Sequence, residues 1–334
     1  MKNIEQLYHS LLEPSDALIA DMVKIKGDIL VLGAGGKMGP ALTILAKKAI
    51  DKAGISKRVI AASRFSEPGL QQQLQAAGIE THAVDMLEDE QLQGLPQVEN
   101  VLYMAGQKFG TTGKAWFTWA MNAYLPGRVA LQYKDSRIVV FSTGNVYPLS
   151  QVALGGASEE QATGPVGEYA QSCLGREYGS SKYNTPLFIY RLNYANDVGY
   201  GVLPEIAKSV YAGKAIDLSM GHVNVIWQGD ANEMAIRALL HCATPAKIVN
   251  ITGPETAPVR WIAAEFGKQF EREPLFIHEE QSTALLSNAS ESFRLFGYPR
   301  VTLKQMIALL ADWVKQGGET INKPTHFQER EGQI

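Results

Sequence analysis

A glycine-rich turn between an apolar run and a helical stretch is the feature that most constrains this 334-residue chain. The apolar run 29–35 ends in the turn, and an amphipathic stretch follows at 38–53. Glycines at the first, fourth and seventh positions let the backbone turn tightly and approach a pyrophosphate at the positive end of the helix. With a second strand about 20 residues on, the pattern predicts a dinucleotide site, and a turn without a ligand is the alternative. The expected contacts are Gly33, Gly35, Gly36, Lys37, Met38 and Gly39.

Short apolar runs alternate with helical stretches through the first 195 residues. The runs are 29–35, 58–63, 80–85, 101–106, 137–143 and 186–193, and helical stretches include 38–53, 67–77 and 115–133. Buried strands that alternate with helices predict an α/β fold, a Rossmann-type doubly wound parallel sheet. Short strands at 222–227 and 247–253 then lie among helices at 203–212, 230–241, 258–270 and 302–316. They predict a smaller C-terminal substrate-binding cap.

We therefore expect four parts along the chain. Residues 1–27 form an N-terminal extension of one or two short helices broken near Pro14, and residues 28–195 form the NAD(P)-binding Rossmann domain. Residues 196–316 form mainly the cap, with some segments returning to the sheet. The polar tail 317–334 is either disordered or wraps the surface.

The amino-acid composition limits the classes of partner and the compartment that we expect for this protein. An apolar fraction of 46% and a charged fraction of 19% are typical of a globular protein with a sizeable core. The net charge is −3, and without a block of like charges we expect no nucleic acid and no membrane surface as partner. No stretch approaches about 20 apolar residues, and the N-terminus does not resemble a signal peptide, so we expect a cytoplasmic protein. Cys173 and Cys242 lack metal-ligand spacing, so we expect reduced thiols and no metal.

The end of the second predicted strand discriminates between the two nicotinamide dinucleotides. An acidic residue there would accept from the ribose 2′-hydroxyl and repel a 2′-phosphate, but this chain has Ser63 and Arg64. A hydroxyl and a guanidinium suit a 2′-phosphate, which favours NADP, with NAD as the alternative. Arg64 as a simple surface residue is the other interpretation. Asp85, at the end of the third strand, is placed to accept from an adenine amino group, and the remaining expected contacts are Met86, Ala105 and Gly106.

With the glycine turn, the stretches ETHAVDMLED (80–89), VLYMAG (101–106) and VVFSTGNVYP (139–148) make the chain resemble the extended short-chain dehydrogenase/reductase family. This family is also called the NAD-dependent epimerase/dehydratase family, and the resemblance runs from about residue 28 to 316. It implies a Ser/Thr, a Tyr and a Lys beside the nicotinamide of a sugar or polyol oxidoreductase. Thr143 matches the hydroxyl residue and Asn122 matches a helix asparagine. Gly144 and Asn145 stand where the dehydratase branch carries Asp-Glu, which argues against sugar dehydration.

Two tyrosines compete for the catalytic position. The stretch Ser158-Glu159-Glu160 and Pro165 precede Tyr169, and Glu177 follows it at the offset that the family shows. Tyr169 is therefore the preferred match, which puts Cys173 in the lysine position. The literal motif, Tyr178 with Lys182, is the alternative, although a proline at 186 ends its helix almost at once. Lys182 cannot serve Tyr169, because thirteen residues of helix span about 20 Å.

The missing lysine has a chemical consequence. A free tyrosine has a pKa near ~10, and Cys173 brings no positive charge to lower it. Either another cation serves the site, or the reaction needs less help, or activity has been lost. Cys173 as a thiolate nucleophile is a further alternative, against a thiol that only packs.

Polar residues near the expected carboxyl ends of the strands suit a polyhydroxylated substrate. They are Gln107, Asn145, Asn193, His222, Asn224 and Trp227. For each, a polar side chain that satisfies nearby backbone is the alternative. His222 could supply the missing acid/base function. Because no basic cluster is present to hold a nucleotide diphosphate, an unactivated sugar, sugar acid or polyol is favoured over a nucleotide-sugar.

Two functions remain open at this point. The first is an NAD(P)-dependent oxidoreductase or epimerase that acts by hydride transfer on a carbohydrate-like alcohol or ketone. The second is a non-catalytic NAD(P)-binding sensor or scaffold of the same fold, which the cysteine in the lysine position favours. The resemblance further implies a homodimer through the helices at about 115–133 and 169–182.

Overall fold

A seven-stranded parallel sheet runs through the computed structural model, which describes residues 2–108, 113–321 and 325–332. Its order is β7-β6-β5-β4-β1-β2-β3, so the strand order reverses beside β1. The predicted fold class, a Rossmann-type doubly wound sheet, is confirmed. The strands are β1 (Ile29–Leu32), β2 (Val59–Ser63), β3 (Glu80–Ala83), β4 (Asn100–Tyr103), β5 (Arg137–Thr143), β6 (Leu187–Leu192) and β7 (Lys247–Ile251).

Helices cover both faces of this sheet, as its apolar strands require. Successive residues of one strand point to opposite faces: Val139 of β5 belongs to one hydrophobic cluster and Val140 to the other. The helices are α1 (Lys2–Ser10), α2 (Asp16–Lys24), α3 (Gly39–Lys52), α4 (Leu70–Ala76), α5 (Asp89–Gln93), α6 (Ala115–Trp119), α7 (Leu125–Gln132), α8 (Gly167–Ser180), α9 (Val202–Ala212), α10 (Gln228–Arg237), α11 (Val259–Phe270), α12 (Ser290–Phe296) and α13 (Leu303–Lys315). Side chains of α2, α3 and α10 pack on one face, and those of α5 and α7 on the other.

The predicted helix at 115–133 is divided. Between α6 and α7 the backbone forms a π-helical turn, Ala120–Tyr124, with Asn122 buried at its centre. Such a turn widens the helix locally and is frequent at functional sites.

A third hydrophobic cluster forms the cap, where α9, α11 and α13 pack together. The predicted strand 222–227 is wrong as a single element. His222–Val223 pairs with Ala257–Pro258, whereas Ile226–Trp227 pairs with Ala195–Asn196. Between the two pairs, the side-chain amide of Asn224 donates to the Ser287 carbonyl at 3.0 Å. Further two-residue pairs join Ile216–Asp217 to Phe276–Ile277 and Ser150–Gln151 to Thr283–Ala284.

Part of the sequence assigned mainly to the cap lies with the sheet. β7 pairs with β6 in parallel register, with Ile248 opposite Ile189. α10 packs against α3 on the sheet face. Residues 228–251 thus complete the Rossmann unit, and the cap consists of the segments on either side of them.

The two termini pack on the cap. Tyr8 of α1 lies edge-on to Trp227, with ring centroids 6.1 Å apart, and its hydroxyl donates to Asp197. The described tail, 325–332, wraps the surface, with Phe327 buried in the cap cluster. No helix among the described residues is long and apolar enough to cross a membrane.

Candidate active site

A cavity of about 580 Å³ opens at the carboxyl ends of β1, β4, β5 and β6, where this fold class binds its ligands. The turn after β1 forms one side of it, which we call the glycine end. Residues after β5 and at the start of α8 form the other side, the tyrosine end. Its lining comprises Gly33, Gly36, Lys37, Met38, Gly39, Arg64, Met104, Gly106, Gln107, Lys108, Phe141, Ser142, Thr143, Asn145, Tyr169, Arg176, Leu192, Asn193, Tyr194, Ala195, Tyr200, Gly201, Val202, Gln228 and Thr325.

The glycine end is shaped by backbone that only glycine permits. Gly33 has φ +89°, and a Cβ there would lie 2.6 Å from the Ala105 nitrogen. A Cβ at Gly39 would overlap the Ala34 carbonyl, so α3 can begin directly against the strand. Gly36 is exposed to the cavity, and α3 begins without a side-chain cap. Met38 and Gly39 line the cavity, so the N-terminus of α3 adjoins it, which is the arrangement that anion binding at a helix N-terminus uses.

Beyond the glycine turn, the predicted cofactor residues divide into two groups. Arg64 lines the cavity, is exposed, and makes no hydrogen bond or ion pair within the described ranges. Ser63 instead packs beside Gly35, and the Asp85 carboxylate accepts from the Leu87 N–H at 3.0 Å. Met86 and Ala105 are buried in the hydrophobic core below the cavity. Direct contact with a ligand thus remains a prediction for these last four residues, which do not line the cavity.

At the tyrosine end, Thr143 is oriented by its neighbour. The Thr143 Oγ1 accepts from both the backbone N–H and the side-chain Nδ2 of Asn145, at 3.2 and 2.9 Å. With its acceptor capacity used in this way, the hydroxyl is left to donate its own proton outward. The Gly144-Asn145 pair, which argued against dehydration, thus fixes the direction of the Thr143 O–H.

Helix α8 begins two residues before Tyr169 and brings this side chain to the cavity. Tyr178 lies on the outer face of the same helix with 67% of its surface exposed, and Lys182 is exposed beyond the helix end. Of the two candidate pairs, only Tyr169 lines the cavity.

Cys173 is fully buried beside Tyr169 and packs against Val146, Tyr147 and Ala157. Burial raises the pKa of the Cys173 thiol, so it stays protonated and weakly reactive at neutral pH. The lysine position is thus filled by a neutral packing residue.

A cation nevertheless lies at this end of the cavity, at a position that the sequence analysis did not single out. Arg176, seven residues after Tyr169 on the same helix face, is buried and lines the cavity. Its guanidinium donates to the Phe141 carbonyl at 2.6 Å and to Asn122 Oδ1 at 2.8 Å. A Cβ at Gly106 would lie 2.4 Å from Arg176 Nη2, so the glycine leaves the room that this side chain occupies.

Asn122 holds several of these elements together. Its amide accepts from the Gln107 N–H at 2.7 Å and donates to the Gln107 carbonyl at 2.8 Å. It also donates to Ser172 Oγ, which in turn donates to the Tyr169 carbonyl. Asn122 therefore acts behind the cavity wall, where it fixes the loop after β4 against α8.

A buried ion pair anchors the same helix to the sheet. Arg191 of β6 donates to both carboxylate oxygens of Glu177, at 2.9 and 2.6 Å. The Ser142 hydroxyl donates to Glu177 Oε1 at 2.5 Å, and Arg191 also bonds the Tyr147 hydroxyl. The position of Tyr169 relative to Thr143 thus depends on this pair.

Opposing influences act on the Tyr169 hydroxyl. Burial raises the pKa of Tyr169 above its usual range, and Cys173 adds to the rise. The positive charge of Arg176 and a hydrogen bond from Thr143 act in the opposite direction. The pKa remains raised, so the phenol carries its proton at neutral pH and is a proton donor in its resting form.

The predicted substrate residues also separate by location. Gln107, Asn145 and Asn193 line the cavity. Asn224 lies behind Asn193 and accepts from its Nδ2 at 2.9 Å. His222 lies on the short strand that pairs with Ala257–Pro258, and Trp227 is fully buried against α1, where its indole donates to the Leu11 carbonyl. The structure therefore does not bring His222 and Trp227 to the cavity.

Several lining residues were missed at the sequence level. Helical periodicity from Tyr169 would have identified Arg176. Lys108, whose Nζ lies 5.9 Å from the Tyr169 ring centroid, follows the predicted Gln107 directly. Tyr194, Tyr200, Gln228 and Thr325 come from the cap, α10 and the tail, and no local pattern marks them.

Comparison with known proteins finds solved structures of similar fold. No protein-family model matches the sequence, and no curated protein matches it. Among solved structures, the enzyme WbmG of Bordetella bronchiseptica, in complex with NAD and UDP, has a TM-score of 0.72 at 16% identity, over 90% of this chain and 100% of that chain. UDP-glucuronic acid 4-epimerase of Bacillus cereus, in complex with UDP-glucuronic acid and NAD, has a TM-score of 0.68 at 19% identity, over 86% and 99%. UDP-glucose 4-epimerase of Thermus thermophilus, in complex with NAD, has a TM-score of 0.67 at 17% identity, over 86% and 99%.

At such identities the likeness establishes the fold. The chain shares the fold of these three proteins, and the fold that the sequence motifs implied is confirmed.

Proposed function

Because the chain shares the fold of NAD-dependent sugar epimerases, we propose that it is an NAD(P)-dependent oxidoreductase or epimerase. Its substrate would be a sugar, sugar acid or polyol-like alcohol or ketone. The observation that carries the proposal is the convergence of Thr143, Tyr169 and Arg176 on one cavity that continues to the glycine turn.

The glycine end fits a dinucleotide. Gly36 is exposed, and a Cβ there would lie 3.3 Å from the Gly33 carbonyl. Because this exposed residue has no side chain, a phosphate could approach its backbone closely. The N-terminus of α3, where Met38 and Gly39 line the cavity, would bring the positive end of the helix close to the same group. When bound, the nicotinamide supplies the hydride acceptor or donor for the substrate carbon.

We propose NADP as the preferred form of the cofactor, with NAD as the alternative. Arg64 is exposed at the cavity after β2 and makes no ion pair within the described ranges, so its charge is available to a 2′-phosphate. The three named relatives were solved with NAD, so the preference for NADP rests on Arg64 and not on them.

In the proposed reaction, Tyr169 transfers a proton to or from the reacting oxygen. Its protonated resting state suits donation to a carbonyl oxygen that is being reduced. Thr143, with its O–H directed outward by Asn145, donates a hydrogen bond to the same oxygen. General acid catalysis of this kind contributes about 10²–10⁴-fold to a rate.

Arg176 would supply the positive charge that Cys173 lacks. A buried guanidinium near a phenol stabilises the phenolate electrostatically, and here it opposes the rise in the pKa of Tyr169 caused by burial. Because an arginine does not deprotonate in proteins, this cation would be permanent. Arg176 acts on the tyrosine, so its role is to position and polarise rather than to exchange protons itself.

The discriminating experiment replaces the two tyrosines separately. A panel of sugars, sugar acids and polyols is offered with NADP⁺. The appearance of reduced nicotinamide is followed by absorbance, and epimerised products, which form with no net change in the cofactor, are separated by chromatography. Tyr169→Phe should lower turnover about 10²–10⁴-fold with cofactor affinity kept, because only the proton-transferring hydroxyl is removed. Tyr178→Phe, the matched control on the same helix, should keep full turnover.

A non-catalytic NAD(P)-binding protein is the second candidate, favoured by the neutral, buried Cys173 in the lysine position. It predicts tight cofactor binding with no turnover on any member of the panel. Loss of turnover in Tyr178→Phe but not in Tyr169→Phe would instead refute our assignment of the tyrosine.

We further propose a homodimer in the cytoplasm. Large apolar side chains are exposed on α6, the π-helical turn and α8: Trp116 at 72%, Tyr124 at 60% and Tyr178 at 67%. A second copy packed on these helices would cover them. Sedimentation at micromolar concentration tests the assembly, and a monomer alone would refute it.

A further inference from the structure

The described end of the chain, residues 325–332, crosses the tyrosine end of the cavity, and we call it the strap. Thr325 lines the cavity beside Tyr194. Its backbone N–H and its hydroxyl both donate to Glu205 Oε2 of α9, at 2.9 and 2.5 Å. The strap thus starts from a fixed point on the cap.

Three further contacts hold the strap along its length. Phe327 is buried in the cap cluster, and its carbonyl accepts from the Tyr194 hydroxyl at 3.4 Å. The Arg330 guanidinium donates to the carbonyls of Ser219 and Thr283, at 2.9 and 2.8 Å, and to the Thr283 hydroxyl at 2.6 Å. At its end, Gly332 packs on the backbone just before Tyr169, so closely that a Cβ on it would overlap the Val166 carbonyl. The strap therefore bridges the cap and the first turn of α8.

Little space is left between the strap and the tyrosine end. A second cavity there measures about 50 Å³. Lys108, Asn145 and Tyr194 border both this cavity and the larger one, and Glu329 and Arg330 close it from the strap side. A volume of this size holds on the order of a few water molecules. A substrate at Tyr169 therefore cannot extend far in this direction while the strap is in place.

The hydrogen bonds of the strap also oppose a diphosphate in this direction. Glu329, Lys108 and Arg330 all border the small cavity, so the exclusion rests on the space that the strap occupies and not on net charge. The Arg330 guanidinium is already engaged with three oxygen atoms of the cap. A diphosphate entering here would have to displace these bonds, each worth about 1.5–3 kcal/mol for a charged donor.

We propose that the strap restricts the substrate of this site to a compact sugar, sugar acid or polyol, and that it excludes sugars linked to a nucleotide diphosphate. This inference rests on the proposed function, since it concerns the substrate of the same site. It assigns a specificity role to a polar segment that is distant in sequence from every other element of the site.

The test is a binding measurement that needs no turnover. UDP and UDP-glucose are titrated calorimetrically into the full-length protein with and without saturating NADP⁺. The loosened variant is Thr325→Ala/Arg330→Ala, which removes the two side chains that anchor the strap by hydrogen bonds and keeps Phe327 in place. The matched control is Arg294→Ala, which removes an exposed arginine that pairs with Glu291 on α12. Circular dichroism and NADP⁺ affinity verify that each variant is folded.

We expect no saturable binding of either nucleotide to the wild type or to Arg294→Ala below about 1 mM, which corresponds to about −4 kcal/mol. The loosened variant should bind UDP at least tenfold more tightly than that limit. If the wild type itself binds UDP with micromolar affinity, the inference is wrong, whatever the variants do. A folded loosened variant that still fails to bind would also overturn it, because the strap would then not be what excludes the nucleotide. Absence of turnover on the sugar panel would count against the proposed function alone.

Discussion

The ion pair between Glu177 and Arg191 is the sharpest target for mutagenesis, because it joins the helix that carries Tyr169 to the central sheet. Both side chains are about 5% exposed or less, and the contact is bidentate. Arg191→Met keeps most of the side-chain volume and removes the cation. The Glu177 carboxylate is then left buried with only the Ser142 hydroxyl as a partner.

Breaking a buried pair from one side costs about 3–5 kcal/mol, because the remaining charge is uncompensated. The unfolding entropy of 334 residues is about 0.7 kcal/mol/K near the midpoint, so a loss of about 4 kcal/mol lowers Tm by about 6 °C. The matched double variant, Glu177→Leu/Arg191→Met, removes both charges. Its expected cost is only about 1–2 kcal/mol, mainly for the hydrogen bonds that Ser142 and Tyr147 lose.

Urea unfolding followed by circular dichroism measures these free energies, and the two single variants with the double variant complete a cycle. A coupling energy of about 2 kcal/mol or more is expected. A double variant as unstable as the sum of the two single variants would refute the reasoning, since the two side chains would then act independently. Turnover should fall in Arg191→Met more than in a variant of equal stability altered away from α8, because the helix also positions Tyr169.

Two further predictions concern the cofactor and pH. Arg64→Ala should weaken NADP binding at least tenfold, about 1.4 kcal/mol, and should leave NAD binding unchanged. Fluorescence titration measures both affinities. If the wild type binds NADP and NAD equally well, and the variant does too, the proposed preference for NADP is wrong. Burial raises the pKa of Asp197 above its ordinary 3.8, so the folded protein holds this proton more tightly than the unfolded chain. The stabilisation is present below pH 3.8 and is lost as the pH rises through the higher folded value, so Asp197→Asn should be more stable than the wild type near neutral pH. Urea titrations from about pH 4 to pH 7 test this, and a parallel pH dependence in the two proteins would exclude it.

Much of the fold could be predicted from local patterns. The seven strands include all six runs assigned to the sheet. Five of these strands are apolar because they are buried on both faces, whereas β3 lies at the sheet edge and is only partly buried. The glycine turn was recognisable because close backbone contacts at Gly33 and Gly39 exclude any side chain. The choice of Tyr169 over Tyr178 followed from the residues around Tyr169 that match the family pattern and from the proline that ends the helix after Lys182. Of the two tyrosines, Tyr169 lines the cavity and Tyr178 is exposed.

Other features depended on contacts between distant segments. β7 joins the sheet only by pairing with β6, which lies about sixty residues earlier in the chain. Its own sequence does not distinguish a strand of the sheet from a strand of the cap. The π-helical turn widens the helix around Asn122, whose amide bonds the Gln107 backbone, Ser172 and Arg176 from three different directions.

The sequence by itself determined the parallel sheet with its glycine turn, and it has a cysteine where the family resemblance implies a lysine, since both depend on residues adjacent in the chain. Only the tertiary structure placed Arg176 at the tyrosine end of the cavity and the polar tail beside it. Arg176 becomes a cation of the cavity because α8 packs where Phe141 and Asn122 accept its hydrogen bonds. The polar tail borders the cavity because its side chains form hydrogen bonds with Glu205 and Thr283, which are distant in sequence. A polar segment carries no periodicity of its own, so its position is set by the partners that the rest of the fold supplies.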